Sequence, residues 1–310
     1  MDEHTPVLAG EALAALALEA DGYYVDATFG RGGHTALLLQ ALGPEGRVLA
    51  IDRDPQAIAA GRARFAAQAR LILQHASFAE LQVLVPAACS PPRACRGVLF
   101  DLGVSSPQLD DPTRGFSFRS DGPLDMRMDP TRGEPVSAWL AHASFEEIRD
   151  VVARLGEERF ARRVARAIVD ARQAQPLERT GELAALVARA VKTREPGKHP
   201  ATRTFQALRM LVNDELGQLE QGLGGALTVL TPGGRLVVIS FHSLEDRLVK
   251  RFMQRESQLD PELARLPIVP PERQPRMKLI GHKLRPTQAE LKENPRSRSA
   301  LLRVAQKIRS

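Results

Sequence analysis

Cysteine is scarce in this chain: Cys89 and Cys95 are the only two among 310 residues. Neither sits in the Cys/His spacing that a zinc site needs, so both read as incidental thiols of a cytoplasmic protein. No apolar stretch approaches the ~20 residues of a membrane span, which excludes a transmembrane helix and predicts no membrane partner. The N-terminal Met1-Asp2-Glu3-His4 is acidic, and acids punctuate the Ala/Leu-rich run from Glu11 to Ala20. That pattern argues against a secretory signal and for a short amphipathic helix. Aromatic residues are 5% of the chain, so few side chains can stack on a base. There is no internal repeat and no low-complexity tract.

What is present is the ordinary composition of a folded protein, 43% hydrophobic and 26% charged. The net charge of +6 is unevenly spread. The first hundred residues hold 8 basic and 10 acidic side chains, whereas residues 271–310 hold 11 against 3. A near-neutral frame with a basic tail suggests a polyanionic partner, the alternative being a solvated basic surface.

Short apolar runs ending in turn residues predict buried strands at Tyr23–Ala27, Val48–Ile51, Leu71–Leu73, Val98–Phe100 and Arg235–Ile239. Helices are expected from His34 through Leu42 and from Pro55 to about Phe65, with proline in the first turn of the latter. Strands alternating with helices call for a parallel sheet with right-handed crossovers. After Asp101 that rhythm breaks. Residues 103–135 read as an ordered functional loop, and helical patterns follow. One opens at the capping box Ser144-Phe-Glu-Glu147, one runs from Glu157 to about Gln173, and one begins near Thr180. The expected fold class is α/β: a doubly wound, Rossmann-like sheet with an inserted small all-α domain. The expected domains are residues 1–108 and 210–310, interrupted by a helical insertion at 109–209.

The turn after the first strand is Asp26-Ala-Thr-Phe-Gly30-Arg-Gly32-Gly33-His34. Its glycines let backbone approach a ligand at a helix N-terminus. A dinucleotide fingerprint starting at Gly30 needs a third glycine at position 35, which is Thr35. An acid before the turn also disfavours a pyrophosphate. S-adenosyl-L-methionine carries a sulfonium and an ammonium and no phosphate, so Asp26 suits it, and Asp52 is placed to accept from a ribose diol. The turn therefore favours this methyl donor over NAD.

Asp101-Leu-Gly-Val-Ser-Ser-Pro107-Gln108 ends the fourth strand, at the edge where open α/β sheets place chemistry. Methylating an exocyclic base amine requires groups that accept its N–H bonds, so that nitrogen can pyramidalise. Asp101, Ser105 and Ser106 are the catalytic candidates.

Taken with later blocks, these residues resemble the RsmH/MraW family of bacterial ribosomal RNA methyltransferases. The resemblance rests on His4–Leu8, Asp26–His34, Ala50–Pro55, Asp101–Gln108, Arg114–Phe118, Leu124–Met128, Thr204–Arg209, Ser240–Asp246 and Asn294–Ser299, and spans nearly the whole chain. It implies a class I S-adenosylmethionine-dependent methyltransferase sheet. It implies N4-methylation of a cytidine in the decoding region of small-subunit (16S) ribosomal RNA, free or in an assembling or assembled subunit. By the same resemblance, the cofactor contacts Gly32, Gly33, His34, Asp52, Phe78, Asp101 and Gln108, with Phe78 beside the adenine. On residue type alone, Phe78 reads equally as core. A catalytically inactive RNA-binding assembly factor on the same fold is the competing reading, and the joint presence of the turn, Asp52 and Asp101 argues against it. No metal is expected, and the oligomeric state is left open.

Three further expectations concern RNA. Phe116 and Phe118 are candidate stacking partners by location. Lys198, His199, Arg203 and Arg209 either track phosphates or form a charged helix face. His242, after the strand at Arg235–Ile239, reads as a local hydrogen-bonding residue rather than a catalyst.

Overall fold

The computed structural model describes residues 6–89, 91–191, 199–259, 269–270 and 273–309. The chain divides into two compact units, residues 1–103 with 216–310, and residues 104–215.

In the first unit, strands β1 (Tyr23–Asp26), β2 (Arg47–Asp52), β3 (Leu71–His75), β4 (Cys95–Asp101) and β5 (Leu230–Ser240) run parallel. Strands β6 (Met277–Leu279) and β7 (Leu301–Lys307) add an antiparallel edge, giving the order β3-β2-β1-β4-β5-β7-β6. The order reverses beside β1, which makes the sheet doubly wound. Helices α1 (Ala9–Leu16), α2 (Gly33–Ala41), α3 (Pro55–Arg64) and α4 (Leu81–Ala87) belong to this unit. So do nearly all of α11 (Glu215–Val229), α12 (Ser243–Ser257) and the short α13 (Gln288–Glu293).

Alternation along the strands divides the core in two. Tyr23, Val25, Leu49, Ile51, Phe100 and Val238 pack on one face with Leu81, Leu223 and Phe252 from α4, α11 and α12. Tyr24, Val48, Leu99, Val237 and Ile239 pack on the other with Leu16 and Leu38 from α1 and α2. Each fully buried side chain of this size contributes about 1.5–3 kcal/mol, and cover on both faces explains why the strands read as continuous apolar runs. The turn Thr231–Gly234 bulges out inside β5, because Cys95 pairs with Leu230 while Gly97 pairs with Arg235. The basic tail contains a structural strand: Leu302, Val304 and Ala305 of β7 are buried, and β7 pairs along β5 from Arg235 to Ser240.

The second unit contains α5 (Ser106–Asp110), α6 (Val136–His142), α7 (Phe145–Arg154), α8 (Ala161–Ala174), α9 (Thr180–Ala190) and α10 (Thr202–Val212). They enclose a separate core that includes Leu140, Val152, Ile168, Val187 and Leu208. The intervening loop is ordered from within. The Arg114 guanidinium donates to the carbonyls of Arg127 and Met128, while the Asn213 side chain accepts from Met128 N and donates to Met126 O. Gly115 has φ +74°, and a Cβ there would lie 2.2 Å from the carbonyl oxygen of Pro123, so only glycine fits. Phe116 is 6% exposed in this core. Phe118 packs edge-on against Phe205 at 4.9 Å and beside the His199 ring at 4.6 Å. The expected role of Phe116 in stacking on RNA bases is corrected accordingly, because its ring is enclosed; Phe118 is half-buried beside two aromatic rings.

Candidate active site

Three neighbouring parallel strands end on a carboxylate: β1 on Asp26, β2 on Asp52 and β4 on Asp101. Asp26 is 0% exposed and accepts hydrogen bonds from the Thr35 hydroxyl at 2.7 Å and the Thr28 amide at 3.2 Å. Burial pushes its carboxyl above the usual carboxylate range. The structure thus corrects the reading of Asp26 as a direct partner of a cation: it pins the turn from below. Thr35, notable in sequence only for not being glycine, is its partner. Thr28 adds a second tie, its hydroxyl accepting from the Asp101 amide at 2.6 Å and so fixing the turn to the end of β4.

Gly30 and Gly32 take left-handed backbone, with φ +53° and +73°. The Gly30 amide donates to Asp52 Oδ2 at 2.7 Å, and the Asp54 amide donates to Oδ1 at 2.8 Å. Burial pushes the Asp52 carboxyl up to about 6, against the pull of these two donors. Each of its oxygens still has a lone pair for a further donor.

Gly33 and His34 open α2. His34 is 4% exposed, with Nε2 at 3.5 Å from Asp101 Oδ2. Among the described residues, neither ring nitrogen has a hydrogen-bond partner, and neither does the buried Oδ1 of Asp101. Burial disfavours the imidazolium, but Asp101 and then Asp26 outweigh it and hold the His34 pKa above the usual histidine value.

Phe78 follows β3 in a single 3-10 turn, Phe78–Glu80, capped by Ser77. Its half-buried ring meets Phe100 edge-on at 5.4 Å, and a Cβ at Gly222 of α11 would come within 2.7 Å of it. The ring is therefore held in part by the core.

Asp26, Gly32, Gly33, His34, Asp52, Phe78 and Asp101 thus gather at the carboxyl edge of one sheet. Ser105, Ser106 and Gln108 belong to the second unit. There Ser105 caps α5, and Gln108, 5% exposed, accepts from the Ser105 amide at 3.0 Å. His242 likewise caps α12, its Nδ1 accepting from the Glu245 amide at 3.3 Å. In the basic cluster, Arg209 makes two 2.7 Å bonds to Glu215 and Arg203 donates to the Glu157 carbonyl at 2.7 Å. Lys198 lies outside the described residues.

The profile of the MraW methylase family matches residues 1–308. The chain belongs to the MraW methylase family. It is 53% identical over 306 residues to the ribosomal RNA small subunit methyltransferase H of Dechloromonas aromatica, covering 98% of each chain. It is 54% identical to the protein of the same name from Halorhodospira halophila, covering 98% of this chain and 94% of that one. An rRNA methylase structure from Streptococcus thermophilus aligns at 12% identity and a TM-score of 0.43, over 97% of this chain and 95% of that one. At that score the likeness adds nothing to the strand order already given. In this methylase the turn depends as much on Thr28 and Thr35 as on its glycines. The available signal for both was a pair of hydroxyl residues flanking a glycine turn beside a buried acid.

Proposed function

We propose that this methylase transfers the methyl group of S-adenosyl-L-methionine to N4 of a cytidine in the decoding region of small-subunit ribosomal RNA. The supporting observation is the acidic lining of the sheet edge by Asp52 and Asp101, with Asp101 Oδ1 buried and without a partner among the described residues. A pyrophosphate would meet like charge there, whereas a sulfonium and an ammonium meet opposite charge. When bound, the donor supplies a methyl group on a positively charged sulfur.

The chain's own residues divide the remaining work. Asp52 offers its free lone pairs to the ribose diol, and Gly32 and Gly33 present backbone at the start of α2. The half-buried Phe78 ring flanks the adenine. Asp101 accepts an N–H of the cytosine amine, releasing its nitrogen lone pair from the ring toward the methyl group, and His34 orients that carboxylate. Ser105, Ser106 and Gln108 are further candidates through their nearness in sequence to Asp101. Small-subunit RNA as substrate rests on the names of the relatives, and the cytidine amine on the family resemblance carried by the motif blocks along the chain.

Mass mapping of small-subunit RNA from cells lacking the protein should show one cytidine missing its N4-methyl group. A complete cytidine modification pattern in that strain refutes the assignment. Gly32→Ala tests the turn. At φ +73° an L side chain costs about 1–2 kcal/mol, and its Cβ would stand 2.7 Å from the Phe29 ring and 2.8 Å from the Phe65 ring. The expected result is roughly a tenfold weaker Kd for S-adenosylmethionine by calorimetry. An unchanged Kd would show that the turn does not touch the donor.

A further inference from the structure

Helix α8 carries a stripe of arginine that the active-site chemistry does not use. Arg162, Arg163 and Arg166 on α8, Arg159 just before it and Arg189 on α9 line an open groove of about 870 Å³ in the second unit. All five are exposed. None forms an ion pair among the described residues, and the one acid in the lining is Asp170. Several arginines elsewhere in the same unit are paired, among them Arg127 with Asp125, Arg179 with Asp121 and Arg209 with Glu215. The groove is therefore a local concentration of unneutralised charge.

Helix geometry sharpens the point. Arg162 and Arg163 follow Arg159 by three and four positions and precede Arg166 by four and three, so like charges face one another along one side at the start of α8, an arrangement that destabilises a helix. The opposite side is apolar, with Val164, Ala165 and Ile168 fully buried. Two guanidiniums are held on aromatic faces: Arg166 lies 4.8 Å from the Phe145 centroid and Arg163 lies 5.6 Å from that of Phe160. A guanidinium over an aromatic face spends no N–H on that contact, so its donors stay available for bidentate phosphate contact. Leu186 and Ala190 of α9 add an apolar floor that strengthens the field above it.

We infer that this α8–α9 groove binds the phosphodiester backbone of the substrate RNA at a point separate from the reacting base. The inference rests on the RNA-methylation reading for the identity of the polyanion. Phosphate contact positions an RNA without reading its sequence, so the groove supplies affinity and register, and the sheet edge selects the amine.

The test is a quadruple variant, Arg162→Gln, Arg163→Gln, Arg166→Gln and Arg189→Gln. Glutamine has nearly the helix propensity of arginine, so α8 and α9 should persist. Binding of purified small-subunit RNA is measured from 50 to 200 mM salt, alongside S-adenosylmethionine affinity. The expected result is a loss of RNA affinity of roughly 10–100-fold at low salt, with a shallower dependence of log K on log salt by about 3. S-adenosylmethionine affinity should be unchanged. The matching lysine variant keeps the charges and should retain most of the salt slope. Wild-type RNA affinity and slope in the glutamine variant would overturn the inference and leave a solvated helix face. Normal binding to bare RNA with lost binding to assembled subunits would overturn it in favour of a protein contact. If the wild-type protein neither binds nor methylates this RNA, the functional reading fails instead.

Discussion

Asp101→Ala should lower kcat for methyl transfer by about 10³-fold, the order expected when a positioned charged group is removed from a reacting amine. On the alkaline side, where His34 is neutral, the melting temperature should change little. Among the described residues, the Asp101 side chain makes no hydrogen bond that alanine would lose: Oδ1 has no partner, and Oδ2 faces His34 at 3.5 Å. The bond that locks this residue to Thr28 belongs to its main-chain amide and survives the substitution. A second readout separates loss of chemistry from loss of structure. Because Asp101 is the largest favourable influence on the His34 imidazolium, the His34 pKa should fall in the variant, as NMR titration can follow. The sign for stability follows from that shift. A histidine pKa raised by folding adds stability below its unfolded value, and that stability disappears as pH rises through the folded value. The variant should therefore lose relative stability on the acidic side and not on the alkaline side. Normal turnover in Asp101→Ala would show that another group holds the amine.

The parallel half of the sheet was legible because its central strands, buried on both faces, carry uninterrupted apolar runs, and three of them close on an acid. Asp26, Asp52 and Asp101 could thus be placed at strand ends before any contact was known. The antiparallel edge was not legible. Leu301–Lys307 interleaves Arg303 and Lys307 with its apolar positions, and in a tail of net positive charge that alternation reads as a charged segment. Its burial depends on β5, some sixty residues away in sequence, which no local pattern reveals. Asp26 was misread for a related reason. Sequence position puts an acid next to a ligand turn but cannot tell whether its oxygens face the ligand or the turn's own Thr28 and Thr35. Phe116 failed likewise: a phenylalanine in a polar loop looks available until Gly115 bends the chain and carries it into the helical core. Composition identified a basic protein, but only the helix register aligned Arg159, Arg162, Arg163 and Arg166 on one side.

Asp52→Ala should weaken S-adenosylmethionine binding by 100-fold or more. The substitution removes the acceptor for the ribose diol and leaves the Gly30 and Asp54 amides without their carboxylate. Hydrogen bonds to a charged group contribute about 1.5–3 kcal/mol each, so losing the diol contact and the turn geometry together reaches that factor. Stability should respond far less, because two effects oppose each other. Losing the acceptor for two amides costs a few kcal/mol. Against this, the carboxyl is raised by burial from 3.8 to about 6, so ionising it in the fold costs roughly 3 kcal/mol at neutral pH, and alanine removes that cost. The cost is absent below the ordinary value, grows between 3.8 and about 6, and is complete above it. The ligand-free protein thus loses stability through this group as pH rises across that window, the reverse of a salt-bridged aspartate. Donor affinity should run the other way, since the ionised carboxylate is the acceptor. Kd should rise up to tenfold for each unit that pH falls below about 6, and this dependence should vanish in Asp52→Ala. Calorimetry from pH 5 to 8 on both proteins measures it. A wild-type Kd that stays flat to pH 5, or an alanine variant that binds normally, removes Asp52 from the donor site.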